Sequence, residues 1–234
     1  MNNIIVTTSW DDGHVLDLKL ADLLSRYNLP ATFYISPEDR EIVENDRLTK
    51  AQVNELSKKA AFEIGAHTMT HPLLSNIDDA AAKNEIERSK VVLEDWTGKE
   101  IKSFCYPAGN FQVKHEHIVK NAKFSLARTV KRFSTTIGKN PFEMPTTIHA
   151  YRHWSDIVPI FKESGVTKFL SYYFNWDELA IALFDRIYRE SGVFHLWGHS
   201  WEIEKNGDWD RLERVFKHIA DRSGVHYMTN NELI

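Results

Sequence analysis

From Ile4 to Thr229 this chain alternates short apolar runs with helix-length amphipathic stretches. That rhythm constrains its fold more than any other feature. Ile4 to Ser9 reads as a strand, Leu16 to Tyr27 as a helix with Leu16, Leu20, Leu23 and Leu24 on one face, and Ala31 to Ile35 as the next strand. Thr49 to Ala60 follows as a helix with Thr49 as its N-cap, then Phe62 to Ala66 as a strand. Ile77 to Trp96 reads as a long helix stopped by Gly98, Ser103 to Tyr106 as a strand, Lys114 to Ala122 as a helix and Ser125 to Thr129 as extended. Residues 131–159 carry no clear period. Beyond them Val166 to Phe174 is expected as a strand, Asp177 to Glu190 as a helix and Val193 to Trp197 as a strand. Trp209 to Asp221 then reads as a helix and Val225 to Thr229 as the last strand. Strictly alternating strands and helices imply a parallel sheet with helical crossovers. About seven strands favour a distorted, nearly closed (β/α) barrel over an open doubly wound sheet. No linker-like stretch or internal repeat divides the sequence, so residues 1–234 are expected to form a single domain.

Composition narrows the function. Lys and Arg number 29 against 33 Asp and Glu, for a net charge of −4. That balance offers no basic footprint to nucleic acid or an anionic membrane. No run approaches the ~18 apolar residues of a membrane span. The stretch from Met1 to Trp10 lacks the charged start and long apolar core of a secretion signal, so a cytoplasmic protein is expected. The single cysteine excludes an intramolecular disulfide framework and a cysteine-rich zinc site. Oligomeric state is left open.

In such barrels functional residues follow the C-terminal ends of the strands. Four clusters qualify: Asp11-Asp12-Gly13-His14, His67-Thr68-Met69-Thr70-His71, Cys105-Tyr106-Pro107-Ala108-Gly109, and His199 after the penultimate strand. Histidines four apart would point the same way from one helical turn and form a half-site for zinc. With 11 histidines in the chain, that spacing also arises by chance, and His149/His153 and His195/His199 repeat it. Only His67/His71 directly follows a strand. Of two adjacent carboxylates, one can ligate a cation while the other accepts a proton. Asp-Asp-Gly is also ordinary turn chemistry, with Gly13 at positive φ. His14 reads as a helix N-terminal residue.

Together these clusters resemble the polysaccharide deacetylase family, the NodB-homology or carbohydrate esterase family 4 group. The usual Thr-Phe-Asp-Asp-Gly appears as Ser9-Trp10-Asp11-Asp12-Gly13, and His-Ser/Thr-x-x-His as His67 to His71. The usual Arg-x-Pro-Tyr/Phe-Gly appears as Cys105 to Gly109, and the strand ending Leu-x-His as Val193 to His199. The resemblance implies that Asp12, His67 and His71 hold a divalent metal, most often zinc, with cobalt, nickel or manganese as substitutes. It makes Asp11 the general base for the attacking water and His199 the general acid. It places Tyr106, Pro107 and the N–H of Ala108 around the oxyanion and substrate. The implied reaction removes an N-acetyl group from a sugar or glycan precursor, here inside the cell.

Three departures accompany the match. Cys105 stands where the family keeps an arginine beside the base, with Arg128 or Arg152 as replacements to consider. The motif that tunes the acid histidine has its best match at Asn175-Trp176, with Tyr172 in place of an aspartate. Ala108 replaces an aromatic wall residue. These departures keep two other readings open: a hydrolase of a small non-sugar amide or amidine, and a weakened glycan-binding relative. Trp10, Trp197 and Trp201 are candidates to stack on a sugar ring. His149, Tyr151 and His153 could form a lid or substrate wall. Cys105 reads as a packing residue, and Glu202 to Lys205 as a solvated loop.

Overall fold

A computed structural model describes residues 4–234. In chain order it builds β1 (Ile4–Trp10), α1 (Asp17–Arg26), β2 (Ala31–Ile35), α2 (Lys50–Lys58), β3 (Phe62–Ala66) and α3 (Asp79–Thr97). The chain continues with β4 (Ser103–Cys105), α4 (Val113–Asn121), β5 (Leu126–Arg128), β6 (Ile148–His149) and α5 (Ile157–Phe174). It ends with α6 (Trp176–Glu190), β7 (Gly192–Gly198), α7 (Ser200–Asn206), α8 (Trp209–Ile219) and β8 (Val225–Tyr227). Every strand pairing is parallel, in the order β5-β4-β3-β2-β1-β7-β6, and β8 also pairs with β1. The sheet curls until its ends approach. Met144 bridges them, pairing with Arg128 just before the chain enters β6. The expected distorted (β/α) barrel is therefore observed. Among the described residues no helix is long and apolar enough to cross a membrane.

Local signals act where the sequence placed them. Thr49 closes a capping box with Gln52, and Gly98 ends α3 at φ 67°. His14 sits before α1, its Nδ1 accepting from the Leu16 N–H at 3.1 Å. The reading of Val166 to Phe174 as a strand is overturned: this stretch is the second half of α5. Its exposed apolar residues recur at Val166, Leu170 and Phe174, a helical spacing of four that β-forming side chains obscured. The strand beside β7 is instead the two-residue β6, within the stretch that had no readable period.

Strand parity divides the barrel into an apolar outside and a polar inside. On β1, Val6 and Trp10 join the core beneath the helices, and Trp10 meets Phe216 of α8 edge-on. Thr7 and Ser9 alternate with them. Thr7 donates to Asn230 at 2.9 Å, and Ser9 Oγ lies 2.8 Å from His195 Nε2. Burial, aided by the charge of Arg128, depresses the His195 pKa to about 3. The unfolded chain protonates such a group near 6.5. Between those two values the unfolded state binds the extra proton, so stability falls as pH falls through that window. His195 alone should contribute a slope of ~1.4 kcal/mol per pH unit. Urea unfolding at about pH 6 and about pH 5, both inside the window, should show this slope lessened in His195→Gln. An unchanged slope would rule this source out.

Candidate active site

The C-terminal ends of β1, β3, β4, β5 and β7 converge on one rim. Past β1 the chain turns through Asp12 at φ 81° and Gly13 at φ 80°. A Cβ on Gly13 would meet Ile35 at 2.7 Å, so both space and backbone demand glycine there. Past β3, His67 and His71 do meet, with ring centroids 4.8 Å apart, but not from a helical turn. A loop with Thr68 at φ 65° and His71 at φ 60° brings them together. Glu85 of α3 pins that loop by accepting from the Met69 and Thr70 N–H groups at 2.9 and 2.8 Å. The sequence reading missed Glu85, since nothing local links it to the histidines.

Asp12 Oδ1 lies 3.6 Å from His67 Nε2 and 3.5 Å from His71 Nε2. It is buried and has no hydrogen-bond partner. These separations are close to the ~3.4 Å edge of a tetrahedron whose ligands stand ~2.1 Å from a zinc ion. The atoms around the three ligands fit the same purpose. His67 Nδ1 donates to the Cys105 carbonyl at 2.8 Å, which leaves Nε2 with a free lone pair. Burial lowers the His67 pKa to about 4, so the ring is neutral, as a ligand must be. His71 Nδ1 faces Glu41 at 3.4 Å and the buried Asp39 at 3.9 Å. Trp201 Nε1 donates to Asp12 Oδ2 at 2.9 Å. The donor set therefore suits a divalent cation, with one orphaned carboxylate oxygen at its centre.

Asp11 stands beside this triad, on the inward face of its strand. The place of its expected cation is settled by register. Cys105 on β4 pairs with Arg128 on β5, and the fully buried Arg128 guanidinium reaches both Asp11 carboxylate oxygens. The arginine has thus moved one strand along. Arg152, the other candidate, instead lies over Tyr173 and Phe174, each at 5.3 Å. Burial alone would raise the Asp11 pKa; Arg128, with His67 and His199, overrides it and holds the carboxyl at about 2. Burial also pushes the Cys105 thiol well above its usual range, so it is a packing group whose Sγ lies 3.8 Å from Asp11 Oδ2.

His199 faces the triad from the opposite side, its Nε2 3.9 Å from Asp12 Oδ2. Its Nδ1 donates to Glu202, one helical turn on in α7. Both the solvated-loop reading of Glu202 and the placing of the tuning motif at Tyr172 and Asn175-Trp176 are corrected here. Trp176 instead donates to Asp208 at 3.0 Å. The i,i+3 spacing of His199 and Glu202 was the available signal. Burial disfavours the charged His199 ring, but Asp12 and Glu202 outweigh it and raise its pKa to about 9. His149 Nε2 lies 3.1 Å from the same Glu202 oxygen, and its Nδ1 lies 2.6 Å from His153 Nε2. These two histidines therefore extend the network of His199 and Glu202.

The aromatic candidates separate. Trp10 is fully buried on the outward face, so its parity takes it away from the site. Trp197 faces inward, but both its sides are covered, by His149 stacked at 3.8 Å and by the Arg128 guanidinium at 4.7 Å. Neither can receive a sugar ring. Tyr106 stacks on Phe111 at 4.2 Å within the core, so that position offers the rim only backbone. Pro107 and Ala108 follow it in a tight turn, with Ala108 at φ 51° and exposed. Trp201 is left to wall a cleft of about 420 Å³ beside Asp12, together with His14, Glu41, Val43 and Asp46.

Comparison with known proteins bears on the fold and the family. A peptidoglycan-N-acetylglucosamine deacetylase of Bacillus cereus is 30% identical over 110 residues, which are 46% of this chain and 38% of that protein. This chain thus matches well under half the length of that relative. A Mycobacterium smegmatis protein that carries the polysaccharide deacetylase name superposes with a TM-score of 0.70 at 14% identity, over 99% of this chain and 89% of that one. The Xyl-CE4 domain of a xylanase from the hindgut metagenome of Trinervitermes trinervoides gives a TM-score of 0.59 at 13% identity, over 99% and 90%. These two likenesses speak for the fold. A sequence model of the polysaccharide deacetylases matches residues 2–127, more than half the chain and three of its four rim clusters, and the chain belongs to that family.

Proposed function

We propose that this chain is a metal-dependent N-deacetylase of an N-acetylated sugar or glycan. The observation that carries the reading is the orphaned Asp12 oxygen between His67 and His71, flanked by the buried Asp11 carboxylate and the partly buried His199. Asp12, His67 and His71 would hold the ion. Such an ion, when bound, would polarise the acetyl carbonyl and acidify water, and so match a base as weak as Asp11. Asp11 takes the proton of the attacking water on its carboxylate, which Arg128 keeps ionised and in place. The N–H of Ala108 stabilises the oxyanion. His199 carries the proton that the departing amine requires, and Glu202 fixes its ring. The cleft beside Asp12 lies within the size range of small-ligand pockets. Arg128 answers one of the two departures that favour a non-sugar substrate, since Asp11 keeps a cationic partner; Ala108 in place of an aromatic is the other.

The test is acetate release from N-acetylglucosamine oligomers, with metal content measured on the same preparation. About one divalent ion per chain and chelator-sensitive release are expected. Undiminished release from metal-free protein would overturn the proposal. His199→Ala should lower amide turnover by ~10²–10⁴-fold. Hydrolysis of an aryl acetate, whose leaving group needs no proton, should fall far less. Equal losses on both substrates would remove His199 from the acid role.

A further inference from the structure

One face of α5 packs inward through Ile160 and Tyr173, and an Arg186–Glu163 ion pair ties the helix to α6. Much of the remaining surface of the helix is exposed. Gly165, at φ 60° and ψ −169°, breaks the helix into two arms. The first arm presents Ile157, Val158 and Phe161, preceded by Trp154, at 39–76% exposure. The second presents Val166, Leu170 and Phe174 at 54–80%. Within each arm these residues fall on one side of a 3.6-residue turn. Isolated exposed apolar residues need no explanation, but two adjoining stripes do.

We propose that this face is the seat of a second copy of the chain, with the two arms packing against their counterparts about a two-fold axis. Area is the first argument. The seven side chains expose on the order of 800–1,000 Å², the share one partner gives to a standard interface. The largest apolar patch of a typical monomer is only ~300–600 Å². Charge is the second argument. A helix that lies on a membrane carries a basic polar face. Here the arms carry only Lys162 and Lys168 beside the Arg186-paired Glu163, too few for such a face, and the whole chain carries −4. Self-complementarity is the third argument. Arg152 borders the patch, its guanidinium over Trp154, Tyr173 and Phe174; the stripes themselves are apolar, as a patch that meets its own image about a two-fold axis requires. Rows spaced by four also interlock with like rows on a facing helix. Trp154 and Phe161 supply the aromatic anchors that dominate such contacts. Tyr151, just ahead of this face, lies against His153 and His149, so the partner would sit beside the rim of the barrel.

Sedimentation of the full chain from low to high micromolar concentration tests the proposal. A dimer is expected. Val166→Glu and Leu170→Glu should each weaken it by at least about thirty-fold, the loss that marks an interface hot spot. Both side chains are exposed in the protomer, so folding should survive, and circular dichroism checks that it does. Val91→Glu, on the exposed side of α3, should leave the dimer intact. A wild-type monomer at every concentration overturns the proposal, and so does a dimer that both α5 variants leave unchanged. A monomer that floats with neutral or anionic phospholipid vesicles also overturns it and assigns the face to lipid. Deacetylase activity enters none of these readings.

Discussion

Asp12→Asn and His71→Asn should each abolish stoichiometric metal binding and lower deacetylation by at least about 10³-fold. Asparagine is chosen on structural grounds. Both positions hold positive φ, at 81° and 60°, which alanine would adopt under strain. Asparagine tolerates that backbone, and at position 12 its carbonyl can still accept the bond from Trp201. The substitutions therefore remove ligand chemistry while keeping the loops. Asp12 Oδ1 is the atom both histidines face, so no other carboxylate among the described residues can replace it in the same triad. Metal analysis and thermal unfolding with and without chelator read the two effects separately. The wild type should lose stability when the ion is removed, because an ion that binds only the native state stabilises it by mass action. The variants should show no chelator-dependent shift. Full metal content with wild-type turnover in either variant would sink the assignment of the triad.

How far the sequence could reach is clear from particular residues. The capping box at Thr49 and the stop at Gly98 act through local spacing, and each is where the sequence put it; the alternation of strands and helices holds except at Val166 to Phe174, which is helical. The clusters at Asp11-Asp12 and His67/His71 were found because strand ends of a parallel barrel share one rim. The reason given for the histidine pair was wrong: a loop with two left-handed residues and an anchor on α3 replaces the helical turn. Trp10 adjoins Asp11 in sequence, but strand parity sends it to the opposite face, which spacing along the chain does not reveal. Glu202 is hidden from a sequence reading because α7, only seven residues long, looks like a solvated loop. Arg128 was one of two candidates, and only the pairing of β4 with β5 could choose it.

That choice leads to the second large effect. Arg128→Met should destabilise the chain by about 3–5 kcal/mol, since it leaves the Asp11 carboxylate buried without its partner. Burial would then raise the Asp11 pKa unopposed by the guanidinium, and whatever protein folds should deacetylate at least about 10²-fold more slowly. Arg128→Lys should recover part of the stability but little of the rate. An ammonium is a point charge and cannot hold both carboxylate oxygens as a planar fork does. The sharper test returns the arginine to β4. Cys105 and Arg128 are register partners on adjacent strands, ~4.8 Å apart. In Cys105→Arg/Arg128→Cys the two side chains exchange places, so the volume and charge of the pair are kept. A guanidinium rising from position 105 would occupy the space that Arg128 vacates and still face Asp11. The double variant should fold better than Arg128→Met and regain at least about ten-fold in rate, which the ~1.4 kcal/mol of a tenfold change makes measurable. Cys105→Arg alone should do worst in folding, because it confines two guanidinium groups with one carboxylate in a site closed to water. A stable and fully active Arg128→Met would refute the role of the cation itself. A double variant no better than Arg128→Met would show that the barrel requires its arginine on β5, and that the exchange between the two strands is not neutral.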